Sequence, residues 1–248
     1  SVDSSGNTAT VGNTTVGGTS VSTSNGAVGR ILGVKSTQNN IVTGETSVGY
    51  GLILESRNTG RSGSERIAQI NMSADGSGNG YIGLYTSPSG SDVVSRMNID
   101  SAGRVTMPYQ PAFFAYLNAS ATQPSAVNVV AGTFSTLHNI GGHYSTSTKK
   151  FTAPIDGVYS FTVNFATQSN SPSFSYFSAE IQVNGVRKVG GWTGVNSPSY
   201  HKATSTFTIQ LSSGDYVEMA QEANASYAMQ GNNNGSQPMT FFSGYLIG

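Results

Sequence analysis

Residues Phe151–Phe165 read FTAPIDGVYSFTVNF. The stretch is a turn and then a strand. Asp156-Gly157 carries the turn, and from Tyr159 onward Tyr159, Phe161, Val163 and Phe165 alternate with Ser160, Thr162 and Asn164. A period of two puts the four apolar side chains on one face and hydroxyl and amide groups on the other, the pattern of a strand between a core and a polar surface. One such strand buries nothing alone, so a facing sheet must come from elsewhere in the chain.

The residues after about Tyr109 supply it. Short β-prone runs lie at Ala112–Leu117, near Val127–Val130, within Thr133–Lys150, and at Tyr176–Asn184, Val186–Trp192, Lys202–Leu211, Tyr216–Gln221, Ala225–Met229 and Thr240–Ile247. Turn signals separate them at the spacing of a sandwich or jelly roll. The whole chain holds 24 aromatics (12 Tyr, 11 Phe, 1 Trp), and only Tyr50, Tyr81 and Tyr85 precede residue 108. Pro108 and Pro111 bracket the change in composition, which sets a boundary there. Three segments are expected: a low-complexity β or linker segment over 1–29, a β-rich shaft over 30–108 and a compact head over 109–248.

In the first segment TVGNT, TVGGT and SVSTS space Val11, Val16 and Val21 five apart. Five is odd against a β period of two, so the valines cannot share one face of a straight strand. Short strands, extended chain meeting its own copies, and a flexible linker all remain open there. The runs of 30–107 are too short and too poor in aromatics for a monomeric core, so neighbouring chains are the expected source of stability.

Composition excludes several classes. Twelve basic and twelve acidic residues in 248 give zero formal charge, so no electrostatic footprint for nucleic acid or an anionic membrane exists. No apolar run could cross a bilayer, and SVDSSGNTAT has neither the basic nor the apolar region of an export signal. That polar start without Met is the start expected of a fragment. Cysteine is absent, and His138, His143 and His201 have no helical spacing that would pair them, so no metal or other cofactor is expected. No nucleophile elbow or phosphate loop occurs, and no enzyme is expected.

Two stretches carry family resemblances. RMNIDSAGRVTMP at Arg96–Pro108 sets two short strands about Ser101-Ala102-Gly103, with Gly at the left-handed position of a three-residue hairpin. It resembles a repeat of bacteriophage tail fibres. Phe151, Gly157, Tyr159 and Phe161, with Asn139 and Tyr144 upstream, LSSGDYVEM at Leu211–Met219 and FSGYLIG at Phe242–Gly248 resemble the globular head of complement component one, subcomponent q, and its tumour-necrosis-factor-like relatives. Val163 stands where that family's signature expects Phe or Tyr, and Phe134 is one residue out of register. The resemblance implies a jelly roll and a homotrimer.

Together these readings predict an all-β chain, a trimeric β-rich shaft followed by an antiparallel jelly-roll head. The expected role is that of a phage tail-fibre tip in the virion, joined to upstream fibre or baseplate proteins. It would bind a glycan or an outer-membrane protein on a bacterium. A secreted or surface adhesin, a tailspike depolymerase using Glu180, Glu218 or Glu222, and a capsid decoration protein are the alternatives.

Counting strand directions from the shaft places Pro154–Gly157, Asn184-Gly185, Ser212–Asp215 and the C-terminus at one end. The longer connections Gln168–Ser175, Thr193–His201 and Gly231–Pro238 fall at the other. Recognition is expected there, from Phe174, Trp192, Asn196, Tyr200, His201, Asn232, Asn233 and Asn234, aromatics for stacking and amides for hydroxyl groups. Trp192 also fits a core or inter-subunit position, and the asparagine loop fits a solvated turn.

Overall fold

The computed structural model describes residues 52–57, 66–74, 79–88, 91, 93–125, 128–168, 172–195, 200–232 and 237–248, and their regular structure is all β. The 1–29 segment with Val11, Val16 and Val21 lies outside the described residues, as do Asn196, Asn233 and Asn234. Five strands come first: β1 (Leu52–Arg57), β2 (Arg66–Ala74), β3 (Gly80–Thr86), β4 (Val94–Ile99) and β5 (Val105–Thr106). They pair in sequence order as one antiparallel meander.

The β4–β5 hairpin is the one the sequence predicts. Gly103 has φ 78°, and its N–H donates to the Asp100 carbonyl at 2.9 Å. The Asp100 carboxylate accepts from the backbone of Ala102 and Arg104, and Arg104 Nε reaches its second oxygen at 2.7 Å. The hydrogen bond from the Arg104 backbone, more than any other contact, holds the Asp100 carboxyl below its ordinary pKa.

The later strands are β6 (Ala112–Leu117), β7 (Ala121–Gln123), β8 (Asn128–Val129), β9 (Phe134–Ile140), β10 (Tyr144–Ser145), β11 (Lys150–Thr152), β12 (Gly157–Ala166), β13 (Phe174–Val183), β14 (Val186–Val195), β15 (Lys202–Leu211), β16 (Tyr216–Gln221), β17 (Tyr227–Met229) and β18 (Phe241–Leu246). One sheet runs β15-β12-β18-β6-β9 and the other β10-β11-β16-β13-β14, with β8 beside β16 and a small β17-β7 ribbon apart. Neighbours that are distant in sequence, such as β12 with β18 and β11 with β16, make this a jelly roll rather than a chain of hairpins. Two pieces are invisible to the alternation rule: β7, and β11, whose Phe151 sits in a strand rather than in the turn that opens the quoted stretch.

The apolar face of the central strand behaves as its letters require, whereas Ser160 and Asn164 on the other face are buried as well rather than open to water. Tyr159, Phe161, Val163 and Phe165 are fully buried, each facing the second sheet. Phe113 stacks on Tyr144 and Phe151 at 4.8 and 5.2 Å between centroids, and Phe242 meets Phe113 edge-on at 4.9 Å. Rings at these offsets gain quadrupole attraction beyond burial, and burial alone is worth about 2–3 kcal/mol for each large side chain. Gly244 on β18 is forced by this packing: a Cβ there would run into the Phe161 ring and lie 3.0 Å from that of Phe113.

Candidate functional site

The two ends of the sandwich are built differently. At the end where the chain enters, the tight turns are tied to one another. Gly214 N–H donates to the Ala153 carbonyl and Ala153 N–H to that of Asp215, both at 2.8 Å. Ser213 N–H donates to the Asp156 carboxylate at 2.7 Å, and Asn184 Nδ2 to that of Asp215 at 2.7 Å. The Asn184 hydrogen bond is the main reason the Asp215 carboxyl is held below its ordinary pKa, with the Ser212 amide second. Asn184 and Gly185 both take positive φ, 52° and 76°, as a two-residue hairpin of matching twist demands. Gly248 accepts from Val158 N–H, and Leu246 N–H donates to Pro111, so the C-terminus lies at this same end.

The opposite end is held by different contacts. Thr167 N–H donates to the His201 carbonyl at 3.0 Å, Gln230 N–H to Ala166 at 2.8 Å and Asn232 N–H to Leu117 at 2.8 Å. The expected division into a turn end and a loop end is therefore present.

The predicted recognition residues separate at this end. Phe174 is 1% exposed and His201 6%. Phe174 stacks on Phe177 at 5.1 Å and meets both His201 and Tyr227 edge-on at 5.5 Å. These two belong to the core rather than to a contact surface: Phe174 begins β13 on its inward face, where register pairs it with Val195. A surface reading of sequence misses this because apolar letters beside a loop can close a sandwich as well as decorate it. Asn232 uses its side-chain oxygen to accept from Gln237 N–H at 2.9 Å, bracing its own loop.

Trp192 and Tyr200 stand out in water, 56% and 62% exposed. Trp192 is on β14, as the strand expected over Val186–Trp192 has it, and that strand continues to Val195. It pairs with Ser178, whose neighbours Phe177 and Ala179 point into the core, so the indole lies on the outward face. Tyr176 approaches it at 5.0 Å between centroids, and the Arg187 guanidinium lies 5.8 Å from its ring.

Arg187 grips two carboxylates, those of Glu180 and Glu222. Glu180 is completely buried although it points away from the core, and Ser178 Oγ donates to it at 2.6 Å. Desolvation opposes the charge on Arg187, but the hydrogen bonds of Glu222 and Glu180 outweigh it and hold its pKa above the ordinary value. Gly190, opposite Glu180 in the register, leaves the carboxylate its space, since a Cβ there would stand 2.6 Å from Glu180 Cγ. Glu218, the third acid of the depolymerase alternative, is buried and lies 3.9 Å from Lys150. The arrangement is a braced aromatic platform, and its acids are engaged in ion pairs. Sequence signals Trp192 only as a lone Trp, and the arginine brace is legible solely through register.

The other sheet also has an outward face of note. Phe114 and Phe241 stack at 5.0 Å, and Tyr245, further along that row, is 54% exposed. Beside them the row turns polar, with Thr162 and Thr206 hydroxyls 3.0 Å apart and Asn164 bonded to Thr204 and to the Met239 carbonyl.

The family model described as "C1q domain" matches residues 112–247. Among solved structures, the globular domain of a zebrafish complement 1qA protein is 17% identical, with 56% of this chain and 98% of that one covered at a TM-score of 0.39. An Eiger TNF from S. frugiperda is 14% identical over 56% and 93%, at 0.45. Murine APRIL at pH 5.0 is 13% identical over 55% and 98%, at 0.41. No curated protein matches the chain.

Proposed function

Because the chain belongs to the C1q domain family, we propose that its head is the adhesive tip of a homotrimeric bacteriophage tail fibre. It binds a glycan or an outer-membrane protein on the bacterial surface and is carried into place by a β-rich shaft joined to upstream fibre or baseplate proteins. The reading is one of binding, not catalysis. Its trimeric part is supported by the outward aromatic row of Phe114, Phe241 and Tyr245, in which the two stacked phenylalanines are only half-buried and Tyr245 is exposed in an isolated protomer. The phage part is supported by the tail-fibre-like hairpin of β4 and β5 placed directly before the head.

The observation that carries the binding reading is the pair of exposed aromatics, Trp192 and Tyr200, in a head whose entry end is closed by tied turns. A ring held as Trp192 is, beside Tyr176 and Arg187, loses little entropy on contact, which suits it as an anchor for sugar rings or apolar side chains. Three weak sites per fibre gain on the order of a hundredfold or more in effective affinity when geometry allows them to engage together.

Trp192→Ala with Tyr200→Ala tests this. The double variant should keep trimer mass and thermal stability while losing cell adsorption. Unchanged adsorption by the folded double variant would move the contact surface elsewhere.

A further inference from the structure

The β1–β5 sheet has its apolar side out. Across β2 and β3, Ile70 pairs with Leu84 and Met72 with Ile82; across β3 and β4, Leu84 pairs with Met97 and Ile82 with Ile99; Ile99 then pairs with Val105. Ile70, Met72, Ile82 and Leu84 are each 37–43% exposed, which for a side chain flanked by strand neighbours is an open face. No charged residue lies among these seven. The reverse face carries Gln69 and Asn71, both buried, with Asn71 Nδ2 on the Tyr81 hydroxyl at 3.1 Å and Tyr85 folded over Gly83. A monomer would be arranged the other way round.

We propose that this aliphatic face is covered by the same face of sister copies of the chain, so that the sheets close around a shared dry interior. The inference rests on the homotrimer proposed above and names the residues that would hold its shaft together. Two observations favour sister copies over another occupant. These seven side chains offer neither charge nor hydrogen-bonding groups, and polar chemistry enters only at the edge of the row, where Arg96 Nε donates to the Thr86 hydroxyl at 2.7 Å. A glycan, a nucleic acid or a charged protein surface has little to engage across the centre of the face, whereas an identical aliphatic face matches it.

The second observation is the junction to the head. Only residues 107–111 separate β5 from β6. Arg96 on β4 lies over the Tyr109 ring at 4.5 Å, Gln110 N–H donates to the Met107 carbonyl, and Gln110 Nε2 donates to that of Leu246 in the head, both at 3.1 Å. Heads that assemble therefore deliver their sheets together at an effective concentration in the millimolar range, with no search left to make.

The absence of cysteine makes the test clean. In the full chain, Ile82→Cys and, separately, Ala102→Cys at the exposed β4–β5 turn are each labelled with a maleimide, after sedimentation has given the mass. The expected result is a trimer in which the thiol of the Ile82→Cys chain reacts at least tenfold more slowly than that of the Ala102→Cys chain. Ile70→Asp added to the Ile82→Cys chain should abolish the difference. Met72→Cys replaces Ile82→Cys if the latter fails to fold. Equal labelling in a trimer overturns this inference and leaves the head trimer standing. A monomer with both thiols open overturns the trimer itself. A monomer in which only the sheet-face thiol is protected means that the chain covers its own face, which also overturns the proposal.

Discussion

The head and the N-terminal sheet use one alternation rule with opposite results. On β12 the aromatic and branched residues vanish between two sheets, and on β2 and β3 the aliphatic ones face outward while amides are buried. The head has a second layer of its own and the sheet has none among the described residues. An apolar face thus signals burial within the chain only when the chain also supplies what covers it. Otherwise it signals a partner.

The difference can be broken most forcefully at its two centres. Phe161→Ala should destabilise the head by about 3–5 kcal/mol, since it opens a cavity between Phe113, Phe151 and Phe242. Leu84→Ala should cost about 0.5 kcal/mol or less in an isolated protomer and about 2 kcal/mol or more once copies are assembled. Denaturant unfolding at two protein concentrations measures both. Equal costs at the two concentrations would remove the contrast between the regions.

A smaller effect sharpens the account of the head's outer surface. Arg187→Ala leaves Glu180 buried without its cation and should cost about 2 kcal/mol, below the full value for a buried pair because 38% of the arginine side chain is in water. Glu180→Gln, which retains shape and removes the charge, should cost less. Thermal melts of the two variants decide it, and a neutral Arg187→Ala would mean that the brace contributes only orientation to Trp192.

The smallest effect is common to both regions. Asp215 in the head and Asp100 in the β4–β5 hairpin are held below their ordinary value of 3.8 by hydrogen bonds, to Asn184 first in one case and to the Arg104 backbone first in the other. A carboxyl depressed on folding stabilises fully above its unfolded pKa and loses that contribution as pH falls through the folded one. Melting temperature should therefore decline below about pH 4. Asp215→Asn and Asp100→Asn should each flatten part of that decline, and an unchanged acid slope in both would show that neither carboxylate contributes.

Much of this was legible in the letters, for reasons that also mark where legibility stops. Lys202–Leu211 and Tyr216–Gln221 are strands to the residue, because the Gly-Asp turn at 214–215 ends the first and opens the second. Gly103 and Asn184-Gly185 announce their turns through the left-handed conformation that Gly and Asn accept with the least strain. Ala121–Gln123 carries no such marks and becomes a strand only by meeting Tyr227–Met229. The candidate site suffers from the same gap. Phe174 and Trp192 look alike beside their loops, and only inter-strand register sends one ring inward and the other out.

The outward position of Trp192 has a practical consequence, since no other indole exists in the chain. Its fluorescence comes from one known place, wet in the free protomer and beside a fixed guanidinium. A blue shift on mixing with bacterial envelopes would register the contact proposed for that spot, and a blue shift on concentrating the protein alone would register a neighbouring copy. The two events can be read apart in a cuvette, with no dye attached.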